Sequence, residues 1–195
     1  MTHVFLTVEA VSSTSLKANS ALWLLGHDIT LHASLTTSMA NTNCPLVCSP
    51  EGYLQWQGYD IAPVREIIPR VEALLTTFRS RGFPVYHTRE GHRSDLSTVS
   101  SRELLRSRNN QYQMGIGDKG PLGRLLIRGE PGHDIIPELY PLLGEQIIDK
   151  PGRSAFQHTE FKLMLNIKGI KNLVICGVTT DVCVTSMNNP SFDNV

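Results

Sequence analysis

The apolar run Leu173 to Cys176, followed at once by Gly177-Val178-Thr179-Thr180-Asp181-Val182-Cys183-Val184, constrains the fold of this chain more than any other segment. A short apolar run bounded by a turn is too brief for a helix and reads as a strand buried on both faces, the kind that builds parallel sheets. A Gly with two β-branched Thr neighbours then turns the chain, and Cys183 falls where the next helix begins. A thiol at that place meets the unpaired N–H groups and positive end of the helix dipole, which favour the nucleophilic thiolate. Strand, sharp turn and Cys at a helix start together describe a site for covalent catalysis. An isolated Cys is more often a small buried hydrophobe, so the turn chemistry is what turns Cys183 into a candidate nucleophile.

The same rhythm of strand and helix runs back to the middle of the chain. Asp60 is a candidate N-cap for a helix in which Val64, Ile67, Ile68, Val71, Leu74, Leu75 and Phe78 recur at helical spacing. Gly82 closes it, and residues 84–88 read as a strand. Residues 91–134 form a long polar excursion with a short helix near 101–106; loops of that length in a domain usually carry function or an interface. A strand over 146–149 ends in Lys150-Pro151-Gly152, and a helix over 161–167 is closed by Gly169. Alternation of this kind predicts an α/β fold with a mainly parallel sheet. Its carboxyl edge, where ligands sit in open α/β sheets, then gathers three segments: His87 to Glu90, Asp149-Lys150, and Thr179 to Cys183. Residues 1–47 differ, being rich in Ser, Thr and Asn without a sustained period; they are expected to form a poorly ordered segment outside a domain spanning 48–195.

Composition removes several functions. With 18 basic and 18 acidic residues in 195, the chain is formally neutral, so neither nucleic acid nor a membrane surface is an expected partner. No apolar stretch is long enough to span a bilayer, and the N-terminus lacks the basic start and cleavage site of a secretory leader, so a cytoplasmic location is expected. Cys44, Cys48, Cys176 and Cys183 fit no zinc spacing, and the five-residue spacing of His87 and His92 fits no metal motif. No Gly-rich phosphate fingerprint exists and the pair Ser154 and His158 lies outside any G-x-S-x-G elbow, so no metal or cofactor is expected and a serine hydrolase is disfavoured. Lys150, ending a strand at the same edge as Cys183, can place an ammonium beside the thiol and orient a carbonyl oxygen. Backbone N–H groups around Val182 and Cys183 could receive an oxyanion. Asp181 is expected to cap the helix, and Arg128, Glu130, His133 and Asp134 to form an ion-pair network or subunit contact.

The segment 177–184, together with Lys150-Pro151-Gly152-Arg153-Ser154-Ala155-Phe156, resembles the isochorismatase-like cysteine hydrolases. His87-Thr88-Arg89-Glu90-Gly91-His92, Gly115-Ile116-Gly117-Asp118, Arg128-Gly129-Glu130-Pro131-Gly132 and Ile148-Asp149-Lys150 resemble the branch acting on biuret and ureidoacrylate-type compounds. The resemblance implies a Rossmann-like three-layer sandwich, a small-molecule amide or ureido substrate, a homo-oligomer, and an Asp–Lys–Cys triad in which Cys attacks a C–N carbonyl carbon and water resolves the thioester. It carries over Lys150 and Cys183, and it implies a non-proline cis peptide between Val178 and Thr179 in the oxyanion turn. The family's V-I-D-x-Q strand, source of the Asp, has no match: counting back from Gly52-Tyr53-Leu54 puts that position on Thr42, and Asp28 lies in a different context. The tail 188–195, with Pro190, also departs from the pattern. Both ends are therefore expected to be replaced, through an altered transcript or gene structure, leaving a sheet without its central strand and a product that folds poorly or depends on partners. The competing expectation is a catalytically inactive relative acting through subunit association.

Overall fold

A computed structural model describes residues 37–42, 48–170 and 172–187 of the chain. The first described strand, β1 (Thr37–Thr42), precedes a loop in which the short helix α1 (Tyr53–Trp56) displays aromatic residues. The helical pattern after Asp60 is then laid down in two pieces, α2 (Ala62–Glu66) and α3 (Ile68–Ser80). Pro69 is the cause: it has no N–H for the Arg65 carbonyl and its ring crowds that carbonyl, so the helix breaks at Ile67 and restarts with Pro69 in its first turn. The N-cap of α2 is Ile61, not Asp60, which sits one residue earlier and accepts the Ala62 N–H at 2.9 Å. Gly82, at φ +69°, ends α3 in a left-handed conformation suited to glycine.

After β2 (Val85–Glu90), the excursion carries α4 (Ser101–Ser107) and a small hairpin of β3 (Lys119–Gly120) and β4 (Gly123–Arg124). Ser100 caps α4 by accepting the Glu103 N–H, and Asp118 ties the loop by pairing with Arg108 at 2.8 Å while accepting the Gly115 N–H at 2.9 Å. A Cβ on Gly115 would stand 2.2 Å from Ser107 Oγ, so the close approach at that turn needs glycine. The chain continues through β5 (Gln146–Lys150), α5 (Phe161–Ile167), β6 (Asn172–Gly177), a wide helical turn over Thr180–Val184 and α6 (Thr185–Met187). Among the described residues no helix is long and apolar enough to cross a membrane.

The strands form a parallel sheet in the order β5-β2-β1-β6. The chain therefore builds outward from β1 through β2 to β5, then crosses back to lay β6 on the other side of β1. In open α/β sheets such a reversal marks where ligands bind, here the carboxyl ends of β1 and β6. One expectation is overturned here: the centre of the sheet is not vacant. β1 pairs on both edges, with Met39 opposite Val85 of β2 and Val174 of β6. Its sequence, TSMANT, shows no apolar alternation, but a central strand is held by backbone ladders on both sides and by its setting more than by intrinsic preference. The other residues of the 1–47 segment, Asp28 and Cys44 among them, and the 188–195 tail lie outside the described residues.

Alternation along the strands sorts the core into two layers. Val85, Val174 and Cys176 join Val64 of α2, Ile67 at the break, and Ile68, Val71, Leu75 and Phe78 of α3 on one face. Tyr86, Ile148, Leu173 and Ile175 join Phe161 and Leu165 of α5, with Val184 and Met187, on the other. Helix, sheet and helix make the expected three-layer α/β sandwich. Val64, Leu75, Phe78 and Phe161 have no exposed surface, each contributing about 1.5–3 kcal/mol relative to exposure.

Candidate active site

Three strand ends converge above the sheet. Glu90 closes β2 and Lys150 closes β5, and the parallel register sets them directly opposite one another. One residue earlier, Arg89 stands opposite Asp149. Because successive strand residues face opposite sides, the two strands carry two consecutive ion pairs, one on each face. Glu90 and Lys150 pair at 3.0 Å, while Arg89 grips Asp149 with Nε at 2.5 Å and Nη2 at 3.2 Å. Arg128 clamps the same edge from the returning excursion, donating to the Gly91 carbonyl at 2.9 Å.

Cys183 reaches this edge from beyond β6. Gly177 has φ +116° and the Val178–Thr179 peptide is cis, as the family resemblance implies. The chain then coils through Thr180–Val184 and presents Cys183 as the fourth residue of that turn. Lys150 Nζ donates to Cys183 Sγ at 3.4 Å, to Glu90 Oε2 at 3.0 Å and to the Gly152 carbonyl in its own loop at 2.8 Å. Cys183 Sγ in turn lies 3.5 Å from Glu90 Oε2, so the thiol, the ammonium and the carboxylate close a triangle. Lys150 is wholly buried and Cys183 is 8% exposed, whereas the Glu90 side chain keeps 21% of its surface in contact with solvent.

The electrostatics correct one sequence expectation. A Cys at the first residue of a helix would be drawn toward thiolate, but Cys183 lies inside a short helical turn and is buried. Burial pushes its thiol above the ordinary range; Lys150 pulls it down, and the Glu90 charge and hydrogen bond push it up again, leaving it raised. Burial also works against the Lys150 ammonium, but Glu90 and Cys183 more than offset this, so its pKa stands above that of an ordinary lysine. Burial thus favours the thiol at Cys183, while the neighbouring groups favour the ammonium at Lys150. Burial also pushes up the thiol of Cys176, which lies wholly buried in β6.

Other predicted residues fall elsewhere. Val178 and Thr179 lie in the turn, but the Val182 N–H, expected to face an oxyanion, donates to the Thr179 carbonyl at 3.3 Å, which the Val184 N–H shares at 3.1 Å. The Asp181 side chain lies outside the described residues. Thr42, the position to which the count for the family's Asp leads, ends β1 in register with Gly177. His87 is buried with Nε2 donating to Glu145 at 2.8 Å, and His92 Nδ1 contacts Thr98. The ion-pair network expected of Arg128, Glu130, His133 and Asp134 is not formed as such: Asp134 pairs with Arg89 at 3.0 Å, His133 sits 3.6 Å from Asp149, and Arg128 donates its Nε to the Gly91 backbone carbonyl. A Cβ on Gly91 would come within 2.3 Å of the His133 ring, which explains glycine between the two strand ends. Glu90 is the site residue that motif reading passed over. The signal for it was the parallel register of Arg89-Glu90 against Asp149-Lys150.

Comparison with known proteins places these features. The isochorismatase domain profile matches residues 35–190. The ureidoacrylate amidohydrolase RutB of Azorhizobium caulinodans is 29% identical over 145 residues, covering 74% of this chain and 64% of the relative. That of Pantoea ananatis is 29% identical over 146 residues, covering 74% and 58%. The chain thus spans less than two thirds of the length of either relative. Among solved structures, a cysteine hydrolase from Pseudomonas syringae pv. phaseolicola superposes with a TM-score of 0.64 at 23% identity, over 78% of this chain and 64% of that one. The N-carbamoylsarcosine amidase of Thermoplasma acidophilum gives 0.55 at 19% identity, over 78% and 73%.

Proposed function

The chain belongs to the isochorismatase family, and from that premise we propose that it is a cysteine-dependent hydrolase of an amide or ureido C–N bond in a small molecule. The observation that carries the reading is the triangle of Cys183, Lys150 and Glu90 at the carboxyl edge of the sheet. A buried thiol with a hydrogen-bonded cation has no role in packing that an apolar side chain would not fill better. It does suit nucleophilic attack on a carbonyl carbon. Sγ bonds to that carbon, the carbonyl oxygen takes up negative charge, and the Lys150 ammonium, whose hydrogen bond to Sγ is released as sulfur bonds to carbon, offsets that charge. Collapse breaks the C–N bond and leaves a thioester on Cys183, which water hydrolyses to regenerate the thiol. The names of two relatives, both ureidoacrylate amidohydrolases, support a ureido compound as the substrate.

A second reading draws on Thr42, whose residue type supplies no carboxylate where the family pattern has one. On that reading the chain is a silent relative that acts through association with other subunits. Ammonia release by the purified protein separates the two. Hydrolysis of ureidoacrylate or biuret, abolished by Cys183→Ser, is the expected result. A folded protein that releases no ammonia from either compound favours the silent relative.

A further inference from the structure

The reaction above needs a group that moves protons twice: off Sγ as it attacks, and onto the nitrogen as it leaves. Lys150 is poorly placed for this. Wholly buried and held by a carboxylate, a carbonyl and a sulfur, it has every donor occupied and a charge stabilised by its neighbours. Threonine, the residue type at position 42, titrates too far from neutral pH to serve as an acid or base. Glu90 has what both lack. Its Oε2 stands 3.5 Å from the thiol and 3.0 Å from the ammonium, and part of its surface is open to solvent.

We infer that Glu90 is the general base and acid of this site, so that β2 supplies the carboxylate that the family pattern places on β1. The assignment rests on the hydrolase reading and adds the proton path to it. The Glu90 carboxylate accepts the Sγ proton while sulfur bonds to the carbonyl carbon. The carboxylic acid then gives that proton to the leaving nitrogen, the C–N bond breaks, and ammonia or an amine departs. In the second half the carboxylate takes a proton from water as the hydroxyl adds to the thioester, and returns it to sulfur as the C–S bond breaks. Lys150 keeps its charge throughout, holding Glu90 toward the thiol. Among the described residues, the charged and titratable side chains facing Glu90 are Lys150 from β5, Cys183 from the turn after β6 and, at longer range, Arg106 of α4.

Two measurements on Glu90→Gln should move in opposite directions. Amide turnover falls about 10²- to 10⁴-fold, the usual worth of a positioned acid–base group. Alkylation of Cys183 by iodoacetamide titrates at lower pH than in the parent, because removing the carboxylate leaves Lys150 as the thiol's charged neighbour and favours thiolate. A group that only holds the fold would depress both. Glu90→Asp, which keeps the carboxylate on a shorter arm, restores part of the turnover and the parent alkylation profile. Turnover within about twofold of the parent in Glu90→Gln overturns the assignment, as does an effect confined to KM, which would make Glu90 a substrate contact. Turnover that survives Cys183→Ser instead overturns the hydrolase reading. Turnover lost in Cys183→Ser but kept in Glu90→Gln overturns the Glu90 assignment alone.

Discussion

Lys150 has no exposed surface, and its ammonium is stabilised by three hydrogen bonds from Nζ. Replacing it by Met removes the cation and strands Glu90 beside a buried thiol. Lys150→Met should therefore abolish ureidoacrylate turnover and lower stability by about 3 kcal/mol, the low end for breaking a buried pair because Glu90 retains water access. Urea unfolding followed by far-UV circular dichroism checks this; an unchanged midpoint would mean the pair contributes nothing. Cys183 and Lys150 were legible because each follows a short apolar strand at the same edge. Glu90 was not legible as a site residue. Its immediate sequence suggested a histidine pair, and its partnership with Lys150 exists only once β2 and β5 are placed side by side in register.

At the scale of elements, Glu145 joins three of them. Just before β5, it accepts from Arg79 of α3 at 2.7 Å, from His87 of β2 at 2.8 Å and from the Leu142 N–H at 2.9 Å. Burial alone would raise its carboxyl; the hydrogen bonds from Arg79, the Leu142 N–H and His87 outweigh that and hold it down at about 2. Its contribution to stability is thus complete above the ordinary glutamate range and is lost as pH falls from there toward 2. Burial pushes His133 down to about 4, and His87 is lowered as well, mainly by burial. For these histidines the unfolded chain binds the extra proton, so stability declines as pH falls from about 6.5 toward 4. The urea midpoint should therefore drop in two stages on acidification. His133→Asn should flatten part of the upper stage and Glu145→Gln the lower one; profiles parallel to the parent would contradict this. The helices and apolar strands of 60–177 were visible in periodicity, and Pro69 marked the break between α2 and α3. The ion pairs that join them were not, because a surface charge in sequence looks the same whether or not a partner faces it.

Across the whole molecule, β1 is the piece on which the sheet depends. It is paired on both edges, with Ala40 opposite Tyr86 and Ile175. Ala40→Pro removes a ladder hydrogen bond at the sheet centre and should cost about 3 kcal/mol, the scale of a proline in a helix interior, against a net stability of about 5–15 kcal/mol. Near-UV circular dichroism and the urea midpoint report it, and a parent-like response would show that Thr37–Thr42 is not the central strand. The three-layer plan could be inferred from alternating elements, but this strand could not, since its polar residues leave no pattern and its stability comes from neighbours distant in sequence. The plan matters for function because it brings β2, β5 and the turn after β6 to one edge, where a thiol can meet a substrate. Acid-quenching the protein during ureidoacrylate turnover and weighing its peptides tests this most directly. The account predicts an acyl group bound to the Cys183 peptide and absent in Cys183→Ser. Ammonia released at the parent rate by Cys183→Ser, with no acyl group on any cysteine, would contradict it.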